Sequence, residues 1–231
     1  MALLTIFQFL RFNVPEELQG RVLPSIPFGF LFGIFFSILL ETIFHNGWKG
    51  LLLFKFSKTI SFFGWLLGVL LFLKIYAALR NISFSFLLNL FLPSVALAQG
   101  FGRIGCFLGG CCWGLPVSKP WGFVYPEGSL PYEMYGSVPI FPIQLLEAIF
   151  LFSVSAILFL RVRFCNRASW YFILVGAGRF FLEIFRGDSR GDVFLGCPFS
   201  PAQCIGLMLV AFGLTRLFSS KCILTAKSEN I

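Results

Sequence analysis

Apolar runs long enough to cross a membrane recur along this chain, separated by short polar breaks. About 18–20 such residues cross a bilayer core as an α-helix. Five windows meet that length, near 27–44, 60–79, 143–160, 168–185 and 199–218. A sixth, from Phe84 to about Phe101, is interrupted by Asn89, Pro93 and Gln99. It predicts a kinked helix that unwinds into the glycine-rich residues beyond. Residues 1–23 start apolar at Ala2 to Leu10 and then carry Arg11, Pro15, Glu16, Glu17 and Arg21. That pattern predicts an interfacial helix and loop, without the cleavage pattern of a signal peptide.

The expected fold is therefore an all-α integral membrane protein, a bundle of about six transmembrane helices. Its expected organisation is one polytopic domain over 1–231, with 1–23 interfacial and 99–142 an outward-facing loop region. Composition agrees: 58% of the residues are hydrophobic and 12% charged, too little polar material to cover a soluble globule of 231 residues. The net charge of +8 would suggest nucleic acid in a soluble protein. Here the basic residues cluster in short loops between apolar runs, as orientation in a bilayer requires, and no nucleic-acid role is assigned. With Arg103, Arg186 and Arg190 set aside as site candidates, the remaining bias places both termini inside. The loops 99–142 and 186–198 then face outward.

Ionised groups inside apolar runs need a partner or a substrate, so they mark candidate chemistry. The stretch Gly102 to Gly114, G-R-I-G-C-F-L-G-G-C-C-W-G, sets Arg103 on glycine-rich backbone expected to be irregular, a pocket suited to an anion. Gln144 and Glu147, three apart, share one helix face. Arg179, Glu183 and Arg186 fall at i, i+4 and i+7 on one stripe, two arginines around one carboxylate. Gln203, at the head of the last span, offers an uncharged hydrogen-bonding group.

Plainer readings stand beside these. Arg179 and Glu183 could be a buried pair fixing helix register, and Gln144 with Glu147 could be interhelical glue. Arg190 and Asp192 read best as a solvated loop. Gly29/Gly33 and Gly64/Gly68 read as close helix contacts. The seven cysteines contain no C-x-x-C pair, and the single histidine, His45, is remote in sequence. No metal or other cofactor is expected, and Cys111 and Cys112 beside Trp113 read as packing.

Taken in order, these residues resemble the prolipoprotein diacylglyceryl transferase family. The family motif G-R-x-G-N-F-x-N-x-E is kept at Gly102, Arg103, Gly105 and Phe107 and runs on to Gly114. The likeness continues through Trp121-Gly122 and Pro126, then Pro142-x-Gln144-x-x-Glu147, Arg179-x-x-x-Glu183-x-x-Arg186 and Ser200-x-x-Gln203, over roughly residues 24 to 217. Departures are concentrated among polar positions. Cys106, Gly109 and Cys111 stand where the family has two asparagines and a glutamate, Phe63 stands for a histidine, and Phe28 for a tyrosine.

The resemblance implies transfer of the diacylglyceryl group of phosphatidylglycerol to the lipobox cysteine of a prolipoprotein, at the outer leaflet of a bacterial inner membrane. Arg103 and Arg179 would hold the leaving phosphate with Arg186 assisting. Glu147 is the preferred base for the thiol, Glu183 the residue that orients Arg179. Gln144, Gln203, Gly102, Gly105 and Gly114 would contact substrate. A sharper alternative makes Cys106, Cys111 or Cys112 a nucleophile that carries the lipid, because a thiol beside Arg103 would ionise more readily. Two other functions remain open: a related transferase with a different lipid donor or acceptor, and a non-catalytic phospholipid-binding protein.

Overall fold

In a computed structural model of the chain, residues 16–52, 62–187 and 199–219 are described. The first fifteen residues of the expected interfacial segment, and Asp188, Arg190 and Asp192, lie outside them. The helices are α1 (Glu16–Val22), α2 (Ser25–Leu52), α3 (Phe62–Arg80), α4 (Phe84–Leu108), α5 (Leu130–Tyr135), α6 (Ile143–Leu160), α7 (Arg167–Leu182) and α8 (Pro201–Ser219). Five helical stretches are long and apolar enough to cross a membrane: Leu18–Ile43, Phe84–Leu108, Ile143–Leu160, Phe164–Phe185 and Pro201–Ser219. A shorter apolar stretch, Gly64–Leu79, lies in α3. The fold is all-α and membrane-embedded, as the apolar runs predict. Its described residues form two compact units that divide within α4, after Leu87.

The first unit is built on the α2–α3 pair. Phe28, Leu31 and Phe35 on α2, and Leu67, Leu71 and Ile75 on α3, recur at three- and four-residue spacing and are exposed, as lipid-facing stripes are. Small residues bring the two backbones together. A Cβ on Gly33 would fall 2.7 Å from Val69 Cγ2, and one on Gly68 2.6 Å from Phe36 Cβ. Methyl groups there would drive the helices apart. Tyr76 closes the far end by donating its hydroxyl to the Arg21 carbonyl, 2.6 Å away.

In the second unit α7 packs against both α6 and α8. The polar residues that interrupt the sixth apolar run are its tie points. Asn89 Oδ1 accepts the Ala168 amide at 2.8 Å, the Pro93 carbonyl accepts the Ser155 hydroxyl at 2.9 Å, and Gln99 Oε1 accepts the Tyr171 hydroxyl at 3.0 Å. Each of these three bonds joins a polar group in the apolar layer to a partner on another helix, worth about 0.6 kcal/mol apiece. At the α7–α8 crossing, Gly176 and Gly206 face one another. A Cβ on either would come within 2.5 or 2.7 Å of the other's carbonyl oxygen.

The expectation for α4 needs correction. It is helical past Phe101 to Leu108, with Pro93 inside it. Gly102, Arg103, Gly105 and Cys106 therefore ride its last two turns and are not on irregular backbone. The apolar environment favours continued intrahelical hydrogen bonding over the unwinding that glycine would permit in water.

Candidate functional site

The end of α4 is a reversal. Gly110 takes a left-handed conformation (φ 63°), the Cys111 amide donates to the Cys106 carbonyl at 3.0 Å, and the Gly110 amide donates to the Phe107 carbonyl at 3.2 Å. This paired pattern is the Schellman C-cap, for which glycine is the low-cost residue. The chain then runs back as extended backbone. Leu115 N–H donates to the Phe185 carbonyl at 3.1 Å, Phe141 N–H to the Leu115 carbonyl at 2.9 Å, and Gly187 N–H to the Trp113 carbonyl at 3.0 Å. A Cβ on Gly114 would strike the Phe141 carbonyl oxygen, and one on Gly187 the Gly114 carbonyl oxygen. Gly114 thus has a backbone-packing role. Trp113, Tyr125 and Ile140, with Phe107 and Tyr135 against them, form a small apolar core under the loop.

These contacts gather the end of α4, the start of α6 and the end of α7, and five charged side chains meet there. Glu147 is the hub. Its Oε2 lies 3.1 Å from Arg103 Nε, and its Oε1 lies 3.3 Å from Arg179 Nη1 and 3.2 Å from Arg186 Nη1. The two Oε1 contacts are hydrogen bonds. The Arg103 contact is close but lacks hydrogen-bond alignment. Glu183 Oε2 holds Arg179 Nη2 at 2.8 Å and stands 3.9 Å from Arg186 Nε. Three guanidiniums against two carboxylates leave a formal excess of one positive charge among the described residues.

Exposure separates the arginines. The Arg186 side chain is 2% exposed and that of Arg179 13%, but that of Arg103 is 25% exposed. Arg103 meets Glu147 through Nε. Its fork is the part of the cluster best placed to meet an incoming anion.

The structure brings together Arg103, Glu147, Arg179, Glu183 and Arg186, as the sequence spacing suggests, with one difference. The α-helix stops at Leu182, Glu183–Phe185 tightens into a 3₁₀ turn, and Arg186 is extended (φ −85°, ψ 138°). Arg186 reaches the cluster from beyond the helix, on backbone bridged to Gly114. Gln144 is fully buried, and its Nε2 donates to the Cys111 carbonyl at 2.7 Å and to the Tyr125 hydroxyl at 3.0 Å. It clamps the loop onto α6. Gln203 closes a capping box: its Oε1 accepts the Ser200 amide at 2.9 Å, its own amide donates to Ser200 Oγ at 3.2 Å, and Nε2 donates to the Phe180 carbonyl at 3.4 Å. The S-P-A-Q run, with proline at the first helical position, carried that signal in the sequence. A Cβ on Gly102 or Gly105 would meet nothing within 4 Å, so that face of α4 is open. No sequence motif marks Tyr125, and the family resemblance touches only the neighbouring Pro126.

Cys106, Cys111 and Cys112 converge although no ligand spacing announces them. Their three Sγ atoms lie within 4.8 Å of one another, and none is in a disulfide. Burial holds the Cys111 thiol above its ordinary value, and the opposing pull of Arg103 is weaker. Burial likewise raises the Tyr125 phenol, against the hydrogen bond from Gln144.

Fold and site together define a polytopic helical membrane protein with an arginine-rich, carboxylate-centred cluster at one end of its second unit. The prolipoprotein diacylglyceryl transferase family model matches residues 2–219, and the chain belongs to that family. Among similar proteins, the phosphatidylglycerol–prolipoprotein diacylglyceryl transferase of Clostridium tetani is 35% identical over 156 residues, 66% of this chain and 60% of that protein. The second such enzyme of Clostridium perfringens is 37% identical over 135 residues, 55% of this chain and 49% of that protein. That of Dehalococcoides mccartyi is 31% identical over 194 residues, 79% of this chain and 70% of that protein. The match spans about half to three fifths of the two clostridial relatives' length.

Proposed function

We propose that the chain transfers a diacylglyceryl group from phosphatidylglycerol to the thiol of a prolipoprotein lipobox cysteine, acting as one membrane domain with its loop region and site at the outer leaflet. The observation that carries this is the Arg103–Glu147–Arg179–Arg186 cluster, with Arg103 the most exposed of its three guanidiniums. In the reaction a sulfur–carbon bond forms at the glycerol carbon as the carbon–oxygen bond to phosphate breaks. The thiol proton passes to a base, and glycerol phosphate leaves with the bonding pair. Charge grows on the departing phosphate oxygen, where fixed guanidiniums stabilise it more than water does. Arg103 would bind that phosphate through two oxygens at once, with Arg179 and Arg186 supplying the field behind it.

Glu183, at 2.8 Å from Arg179, would orient that arginine, and Glu147 would take the thiol proton. A second reading of Glu147 is favoured by its contacts with all three arginines: it aligns them and takes no proton. The open face at Gly102 and Gly105 would admit the glycerol backbone of the lipid, and Gln144, Gly114 and Gln203 would shape the site through the backbone they hold. Burial of Cys111 works against a thiolate, so the transfer step is assigned to direct attack by the acceptor thiol. The outward placement has support in charge: Arg161, Arg163 and Arg167 lie at the end of α6 and the start of α7, and Arg216 near the end of α8, all at helix ends remote from the cluster.

The test is purified protein with phosphatidylglycerol, with and without a lipobox peptide. Peptide-dependent release of glycerol phosphate with lipidated peptide is expected. Lipid turnover without lipidated peptide would point to a different acceptor, and lipid binding without turnover to a non-catalytic protein.

A further inference from the structure

The three thiols at the end of α4 have no task in the transfer reaction. Their convergence is a product of local backbone geometry. The Schellman reversal sets residue 111 against residue 106, a position ordinarily filled by an apolar contact. Cys112 then adopts φ 59°, a left-handed conformation that a side chain other than glycine, asparagine or aspartate rarely takes. The result is a third sulfur beside the first two, all within 4.8 Å and none in a disulfide.

We propose that Cys106, Cys111 and Cys112 form a three-thiolate binding site for a thiophilic d¹⁰ cation of the zinc and cadmium class. Metal–sulfur bonds of about 2.3 Å place sulfurs about 4 Å apart around one ion, whether trigonal or tetrahedral. Closing the observed triangle to that size needs shifts of roughly 1 Å or less, within the reach of the cysteine side chains. The loop that presents two of the ligands is already held, because Gln144 Nε2 donates to the Cys111 carbonyl. Each thiol gives its proton to solvent as its sulfur bonds the metal. A divalent cation thus converts three neutral thiols into a centre of net charge −1 and releases three protons. The nearby ion cluster carries one formal positive charge in excess, with Arg103 one turn before Cys106, so it offsets that charge. The fourth coordination position would be left to solvent or to a second thiol brought from outside.

The test uses the full chain in detergent, fully reduced, with Cd²⁺ as the probe and Zn²⁺ as competitor. Sulfur-to-cadmium charge-transfer absorption should saturate at one ion per chain and disappear in the Cys106→Ser/Cys111→Ser/Cys112→Ser variant. Apparent affinity should gain about tenfold per pH unit for each proton displaced. Because that variant could fail to fold, a second readout uses the unaltered chain: maleimide labelling with and without Cd²⁺, mapped residue by residue. Protection of positions 106, 111 and 112 together, by tenfold or more, is expected. A charge-transfer band that persists undiminished in the folded triple variant, or labelling of these three thiols that Cd²⁺ does not slow, would overturn the site.

Discussion

Arg103 and Glu147 meet at 3.1 Å, one near the end of α4 and the other on the second turn of α6, forty-four positions apart in the chain. The intervening loop makes this possible. It is stitched to residues 185–187 on one side and to 139–141 on the other, so the two helix ends cannot drift apart without breaking backbone hydrogen bonds. The Arg103 guanidinium meets the carboxylate through Nε and is the most exposed of the three in the cluster.

That exposure makes arginine chemistry at 103 testable against charge. Arg103→Lys keeps the positive charge and removes the fork, whereas Arg103→Ala removes both. If the fork holds phosphate, the alanine variant should lose about 10²–10³-fold in transfer rate, and lysine should recover only a minor part of it. Glycerol-phosphate release measured on both variants, beside a thermal melt to show that each is folded, checks this. Full activity in Arg103→Lys would assign a purely electrostatic role.

Glu147 is held by three arginines, so neutralising it affects stability as well as chemistry. Glu147→Gln leaves Arg103, Arg179 and Arg186 with Glu183 as the remaining carboxylate of the cluster. Removing one partner of a buried ion pair costs about 3–5 kcal/mol, and the 5% exposure of this side chain places it in that regime. A lowered Tm in detergent is the expected result. The two proposed roles separate in kinetics: loss of a base should lower the transfer rate while lipid binding is kept, whereas loss of alignment should weaken lipid binding and transfer together.

The helices and the charged cluster were legible in the sequence for different reasons. Apolar run length fixes spans because a bilayer leaves the backbone no alternative, and charges inside such runs stand out because each must be compensated. Arg103, Glu147, Arg179 and Glu183 were found that way. What escaped depends on how backbones pair. The tie points Asn89 and Gln99 looked like defects in a weak span because their partners, Ala168 and Tyr171, lie more than seventy residues away. The convergence of three thiols depends on two left-handed residues, Gly110 and Cys112, dihedrals that composition does not report. Arg186 was placed on a helix stripe because a 3₁₀ ending has no clear signature at Glu183–Phe185.

Glycines divide into two kinds, and stability measurements should tell them apart. Gly176→Ala or Gly206→Ala puts a methyl group 2.5–2.7 Å from a carbonyl oxygen of the facing helix, so α7 and α8 must separate. About 1–3 kcal/mol of destabilisation is expected, read as a lower Tm in detergent. Gly102→Ala meets no neighbour and should leave stability unchanged or raise it by about 0.5–1 kcal/mol, since alanine is the better helix former. Should the Gly102 face admit lipid, Gly102→Leu would slow transfer without lowering Tm.

The Cys111 thiol gives a pH test of how tightly the loop is closed. Burial raises its pKa above the ordinary 9.0, with Cys112 adding to the effect and Arg103 opposing it. The neutral form is favoured in the fold, so this group contributes stability that is fully present below pH 9.0 and is lost as pH rises through its higher folded value. Since only the thiolate reacts, maleimide labelling at position 111 should be slow at neutral pH. It should keep climbing about tenfold per pH unit beyond the point where a free thiol levels off. Gln144 holds the Cys111 carbonyl and the Tyr125 hydroxyl, so Gln144→Ala should loosen the loop and admit water to the thiol. The labelling profile should then move to lower pH, toward that of an exposed cysteine. A profile identical in both proteins would mean that Trp113, Tyr125 and Ile140 hold the loop shut without the amide, and that the Gln144 clamp is dispensable.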